Sequence, residues 1–212
     1  RVTAVLTSDG RRVECDALVL TPDLPIVDRL LDRAGVTSSG RKRGYSVVSP
    51  SAGVCHGTVA AEVTQSWPSS AHHTIDFGEQ WAAVTDPALR MVRNGVLSEP
   101  VSILAPCPNL ASAPIDWNRR AVPYMREIQI VLEQRGYCGL TAAMVVDHLD
   151  TPQTWRDKGM LESSPFSSAH VFRQTGPFRR KNMVGGVDNV VLAGSGTTPG
   201  VGVPTVLVSG RL

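Results

Sequence analysis

At 212 residues the chain is long enough to bury a real core, as one domain or two small ones. Hydrophobic residues at 42% and charged residues at 19% exclude a disordered chain, and a net charge of +2 gives no electrostatic footprint for nucleic acid. No apolar run approaches the ~20 residues of a membrane-spanning helix, no signal peptide is visible, and Cys15, Cys55, Cys107 and Cys138 lack metal spacing and read as free thiols in a reducing compartment.

A strand pattern is already running at Arg1, so the chain is expected to begin inside a longer protein. Val2 to Thr7 and Arg12 to Thr21 flank Asp9-Gly10, the signal for a two-residue hairpin. Leu18 to Leu20 is continuously apolar, as in a fully buried strand. Pro25 then opens a helix carrying Ile26, Val27, Leu30 and Leu31, which ends near Gly35. Arg41, Lys42 and Arg43 form a basic cluster, read as a solvated loop or as a contact for anionic lipid headgroups. Ser46 to Gln65 reads as irregular sheet. Neighbouring residues on a strand point to opposite faces, so Cys55-His56 is not expected to act as a catalytic dyad, nor His72-His73 as a metal clamp.

Val101 to Ala105 reads as a strand broken at Pro106 to Pro108. Pro123 to Gln134 has the amphipathic period of a helix, with Tyr124, Ile128, Val131 and Leu132 on one stripe and a stop at Arg135-Gly136. Met144 to His148 reads as a strand, and Thr151-Pro152 caps a short helix through Trp155 to Lys158. Ser163 to Asn182 is polar and turn-rich. Its aromatics Phe166, Phe172 and Phe178 either wall a pocket or pack beneath the loop, and Arg179 and Arg180 either meet a phosphate or face solvent.

The last two dozen residues carry the densest signal. Val190 to Ala193 reads as a buried strand, followed by glycines at 194, 196, 200 and 202 with Pro199 among them, and by Pro204 at a helix start. Strand, glycine turn and helix start together aim free N–H groups at an anion or an electron-rich ring. The dinucleotide fingerprint is broken, because Pro199 stands where its third glycine belongs. No Ser-His-Asp, metal or paired-carboxylate set can be assembled from spacing.

The wording GSGTTPGVGVPTVLVSGRL (Gly194–Leu212) closely resembles the C-terminal flavin-binding segment of bacterial phytoene desaturases, carotenoid enzymes of the FAD-dependent amine oxidase superfamily. The stretches Ser8–Asp23, His72–Gly78, Leu104–Leu110, Asp150–Met160 and Gln174–Asn182 resemble the same family in the same order. The resemblance covers nearly the whole chain and corresponds to the C-terminal half of such an enzyme. It is weakest over Trp81 to Pro100; relatives carry an additional segment between the His72–Gly78 strand and the equivalent of Thr85-Asp86-Pro87, whose loss here would remove a strand from the substrate-domain sheet and puts activity in question.

That resemblance implies FAD as cofactor, a phytoene-like carotenoid as substrate, hydride transfer to the flavin, and a cytoplasmic protein peripheral to the membrane. The implied flavin contacts are Gly194, Ser195, Gly196, Thr197, Thr198, Pro199, Gly200, Gly202, Val203 and Pro204, while no catalytic residue and no metal site is assigned. Thr198 stands where many relatives have His, so a hydrogen bond remains available there but imidazole chemistry does not. The implied fold is mixed α/β. Residues 1–35 and 183–212 would supply part of a Rossmann-like FAD-binding domain, and 36–182 a mainly antiparallel substrate-binding sheet with helices. The phosphate-cradling glycine motif is missing, so the N-terminal half of the enzyme is expected to be needed and the chain alone to bind FAD poorly. A carotenoid isomerase, saturase or ketolase-like flavoenzyme, or a non-catalytic polyene-binding remnant, remain alternatives.

Overall fold

The computed structural model describes residues 1–36, 47–68, 73–76, 82–85, 91–93 and 96–211, with side chains described over 1–36, 47–68 and 97–211. The basic cluster at 41–43, His72 and the side chain of His73 lie outside the described residues. The elements in chain order begin with β1 (Ala4–Leu6), β2 (Arg12–Glu14), β3 (Leu18–Leu20) and α1 (Leu24–Arg33). There follow β4 (Ser51–Ala60), α2 (Ala61–Thr64), β5 (His73–Asp76), β6 (Ala82–Thr85), β7 (Met91–Arg93) and β8 (Val96–Cys107). The last are α3 (Trp117–Gln134), α4 (Leu140–Ala143), β9 (Val145–Asp150), α5 (Pro152–Asp157), β10 (Val190–Leu192) and α6 (Val203–Ser209). The mixture of helices with parallel and antiparallel strands is that of the α/β class.

The chain divides into two compact units. One consists of the chain ends, Arg1–Ser49 with Lys158–Leu212, and the other is the middle, Pro50–Asp157.

In the terminal unit β3 and β10 pair in parallel, Leu18 opposite Val190 and Leu20 opposite Leu192. One side of the pair is covered by α1, whose Leu24, Val27 and Leu31 pack with Val184, Val187, Val190 and Leu192. These are the i, i+3, i+7 positions of a single helical stripe. Asn189 fastens the two chain ends: its amide nitrogen donates to the carbonyls of Val2 (2.6 Å) and Asp16 (2.7 Å), and its amide oxygen accepts from the N–H of Val2 (2.9 Å). Two expectations need correction here. Three residues, not two, separate Thr7 from Arg11 in the first hairpin, and Gly10 at φ +84° takes the left-handed position that such a loop requires. β3 is not buried on both faces, because α1 covers only one of them and Val19 on the other is 61% exposed.

The middle unit is built on β4, which pairs antiparallel with β8 on one side and with β9 on the other. β6 continues the sheet beyond β8, β5 lies outside β6, and β7 pairs with the start of β8. The face covered by α3 buries Cys55, Val59, Val101, Ile103 and Ala105 against Met125, Ile128 and Leu132. The helix α3 starts six residues before Pro123, because Asp116 caps it by accepting from the N–H of Asn118 at 3.1 Å. Pro123 therefore sits inside the helix, on its exposed side. β8 likewise runs through Pro106 to Cys107. β6 pairs with it only as far as Leu104, so Pro106 has one strand neighbour and its missing N–H is tolerated. Cys55 is fully buried while His56 is exposed and hydrogen-bonded to Ser102 (2.8 Å), on opposite faces of β4.

Candidate functional site

Parallel pairing brings the carboxyl ends of β3 and β10 to the same edge, so the turns that follow them are neighbours. The first is Thr21-Pro22-Asp23, which enters α1, and the second is the glycine bend after Leu192. A cleft of about 310 Å³ opens between them, lined by Leu20–Leu24, Ile26 and Val27 on one side and Leu192–Thr197 on the other, with Lys158, Met160 and Pro165 at its rim.

Asp23 organises the first wall. Its carboxylate accepts from the N–H of Leu24 (2.9 Å), capping α1, from the hydroxyl of Ser167 (3.1 Å) and from the N–H of Leu161 (2.6 Å). It thereby binds the segment 161–167 to the start of the helix. That segment contains Glu162, Ser163 and Ser167 at φ +45°, +67° and +58°, conformations that non-glycine residues adopt only when their surroundings impose them.

The second wall is the bend itself, held from below by Ser209 in the last turn of α6. The hydroxyl of Ser209 accepts from the N–H of Gly194 (3.3 Å) and the amide of Asn182 (2.9 Å), and it shares a hydrogen bond with the hydroxyl of Thr197 (2.9 Å). Arg179 holds the bend from the side, with Nε donating to the carbonyl of Thr197 (3.0 Å) and Nη2 to that of Ser195. Its Nη1 donates to the carbonyls of Gln174 (3.3 Å) and Ser168 (3.5 Å). Burial lowers the pKa of this guanidinium from its usual value. His170 closes the far end, accepting at Nε2 from the N–H of Val201 (3.3 Å). Burial first, and the Arg179 charge second, hold its pKa below the ordinary imidazole value.

Of the ten residues singled out by sequence, Gly194, Ser195, Gly196 and Thr197 line the cleft. Thr198, Pro199, Gly200, Gly202, Val203 and Pro204 are not part of its lining. The Thr198 hydroxyl donates to the carbonyl of Arg180 (3.2 Å), Gly200 is buried against His170, and Gly202, Val203 and Pro204 are exposed at the start of α6. Arg179 and Arg180 answer neither expectation made for them. The first is spent on backbone carbonyls and the second pairs with Asp28 (3.3 Å), so neither is a free phosphate ligand or a solvated charge. Phe172 and Phe178 do not pack beneath their loop: they lie 5.8 Å apart, centroid to centroid, and are 80% and 56% exposed.

The lining combines apolar side chains with backbone donors. Among the described residues the N–H groups of Ser195 and Gly196 have no protein acceptor, and both residues face the cleft. A Cβ at Gly196 would lie 2.8 Å from the Leu24 side chain, so only glycine leaves that passage open. Apolar walls with a few free backbone donors are the usual lining of a small-molecule or cofactor site. No group of three or more potential metal ligands occurs among the described residues.

No family model matches the chain. Individual proteins do. A phytoene dehydrogenase of Streptomyces griseus is 42% identical over all of this chain and 44% of its own length. A lycopene-forming phytoene desaturase of Pseudescherichia vulneris is 28% identical over all of this chain and 46% of its own length. A zeta-carotene-forming phytoene desaturase of Myxococcus xanthus is 26% identical over all of this chain and 44% of its own length. From end to end, then, the chain is similar to phytoene dehydrogenases and desaturases, and it spans less than half the length of these relatives. The alignment with the Streptomyces protein extends over 233 positions, so that relative carries residues this 212-residue chain lacks within the matched span.

Proposed function

We propose that the chain is the C-terminal part of an FAD-dependent oxidoreductase that desaturates CH–CH bonds of phytoene or a similar carotenoid. The observation that carries this is the glycine bend at the mouth of the cleft, with two backbone donors left free on a wall that has no room for a side chain at Gly196. The homology to phytoene dehydrogenases supports the same reading, and the 44% coverage supports a longer polypeptide whose N-terminal half completes the cofactor site.

On this reading Ser195 and Gly196 hold the polar edge of the flavin through their N–H groups. Of the remaining predicted contacts, the exposed Gly202, Val203 and Pro204 belong to the part of the site that the N-terminal half covers, while Thr198, Pro199 and Gly200 shape the bend. The flavin, when bound, supplies a hydride acceptor for an allylic carbon, chemistry that side chains do not provide. The chain's own share is to fix the donors, to keep water from the cleft with Leu20, Leu24 and Leu192, and to favour negative charge at the bend. No helix among the described residues is long and apolar enough to cross a membrane. A cytoplasmic enzyme lying against the membrane that holds its substrate fits that observation.

The test is flavin content and conversion of phytoene by the whole enzyme, with Gly196→Val beside the unaltered protein. The reading expects yellow, active enzyme and at least a tenfold loss of flavin affinity in the variant. Whole enzyme that converts phytoene with Gly196→Val as well as without it would remove the bend from the site.

A further inference from the structure

Among the described residues Arg179 is the largest fully buried side chain, 2% exposed, and the reading above does not use it. A buried guanidinium is normally matched by a carboxylate. Here all its described acceptors are neutral backbone carbonyls, on Ser168, Gln174, Ser195 and Thr197, and no ion pair to it is formed among the described residues. Arg180, its neighbour, takes Asp28. A whole positive charge is thus kept under the glycine bend with no counter-ion among the described residues, and its desolvation is unfavourable.

The direction of its bonds matters as much as its charge. The C=O and N–H of a trans peptide point opposite ways. Drawing the Ser195 carbonyl onto Nη2 therefore turns the N–H of Gly196 away from the guanidinium, and that N–H is one of the two cleft donors with no protein acceptor. The same peptide-plane logic at Thr197, whose carbonyl takes Nε, sends the next N–H, that of Thr198, to the carbonyl of Arg180 at 2.9 Å.

We propose that Arg179 is a positioning residue of the cofactor site. Its planar fork fixes the peptide planes of the bend so that the Gly196 donor is presented to the flavin, and its uncompensated charge makes the cleft prefer reduced, more negative flavin over oxidised flavin. This rests on the functional reading given above and adds to it a residue and a reason for the site's redox bias. Lysine would keep the charge, but its single ammonium does not reproduce the fork.

The experiment is redox titration of bound FAD in the whole enzyme, with Arg179→Gln and Arg179→Lys beside the unaltered protein, together with the affinity for oxidised FAD. Arg179→Gln is expected to lower the preference for reduced over oxidised flavin on the order of tenfold, the effect of removing one nearby charge in a partly buried site. Arg179→Lys is expected to weaken binding of both oxidation states while keeping that preference within about twofold. A merely structural arginine would weaken both forms alike in both variants, and an unchanged preference in Arg179→Gln overturns the proposal. If Arg179→Gln does not fold, redox titration of Arg179→Lys across pH decides: the preference for reduced flavin should fall as the ammonium loses its charge, and a pH dependence no different from that of the unaltered enzyme overturns the proposal. Unaltered enzyme that binds no flavin is a different failure, seen without any variant; it refutes the functional reading and takes this inference with it.

Discussion

Gly200 gives the sharpest energetic test of how the bend is held. It has φ +139°, outside what an L side chain adopts comfortably, and it is packed against His170. A Cβ there would lie 2.8 Å from His170 Nε2 and closer still to Cε1, so Gly200→Ala must displace the ring. Displacement breaks the hydrogen bond from the Val201 N–H, worth about 1 kcal/mol. The backbone strain adds roughly 1–2 kcal/mol. Together Gly200→Ala should lose about 2–3 kcal/mol of stability. His170→Ala removes the obstacle but not the strain. The double variant should therefore lose about 1 kcal/mol less than the sum of the two single changes, because the hydrogen bond is lost only once. Urea unfolding at constant slope measures both quantities. A Gly200→Ala protein within about 0.5 kcal/mol of the unaltered one, or strict additivity with His170→Ala, would refute this packing argument.

Three further outcomes follow from the same contacts. Asp23→Ala removes the cap of α1 and the acceptor of Leu161 and Ser167, so it should lose roughly 2–4 kcal/mol by urea unfolding, with Ser167→Ala losing about 1 and adding little on top of it. His170 has a folded pKa below its ordinary 6.5, so its contribution is present above that pH and is lost as pH falls through the lower folded value. The slope of stability below pH 6.5 should flatten in His170→Gln, measured by unfolding across pH. Burial pushes the Cys55 and Cys107 thiols up to about 11 from 9.0. A raised acid pKa favours the folded state below pH 9 and loses that contribution as pH rises toward 11, so iodoacetamide at pH 8 should label exposed Cys138 long before either, read by mass spectrometry.

The elements that place the site were legible where local pattern and tertiary role agree. The apolar runs at Leu18 and Val190, the Pro25 helix start and the glycine run each announce themselves, and the structure joins them as β3, α1, β10 and the bend. What holds the bend was not legible. Asp23 meets Leu161 and Ser167 across more than a hundred residues, and Ser209 meets Asn182 by closing α6 back on the strand. Nothing in the local sequence distinguishes these from ordinary polar residues. Arg179 misled for a related reason: in a polar loop an Arg-Arg pair suggests an anion, and only folding reveals that four carbonyls converge on the first of them. The start of α3 was misplaced because Pro123 is a common first helical residue, while the cap that decides is Asp116.

The most direct measurement is amide hydrogen exchange over residues 190–206 of the whole enzyme, with and without FAD. The Ser195 and Gly196 N–H groups have no protein acceptor among the described residues, so they should exchange freely without the cofactor and become strongly protected when it binds. Protection elsewhere in the enzyme, with exchange at Ser195 and Gly196 unchanged by FAD, would mean that the flavin sits against some other wall.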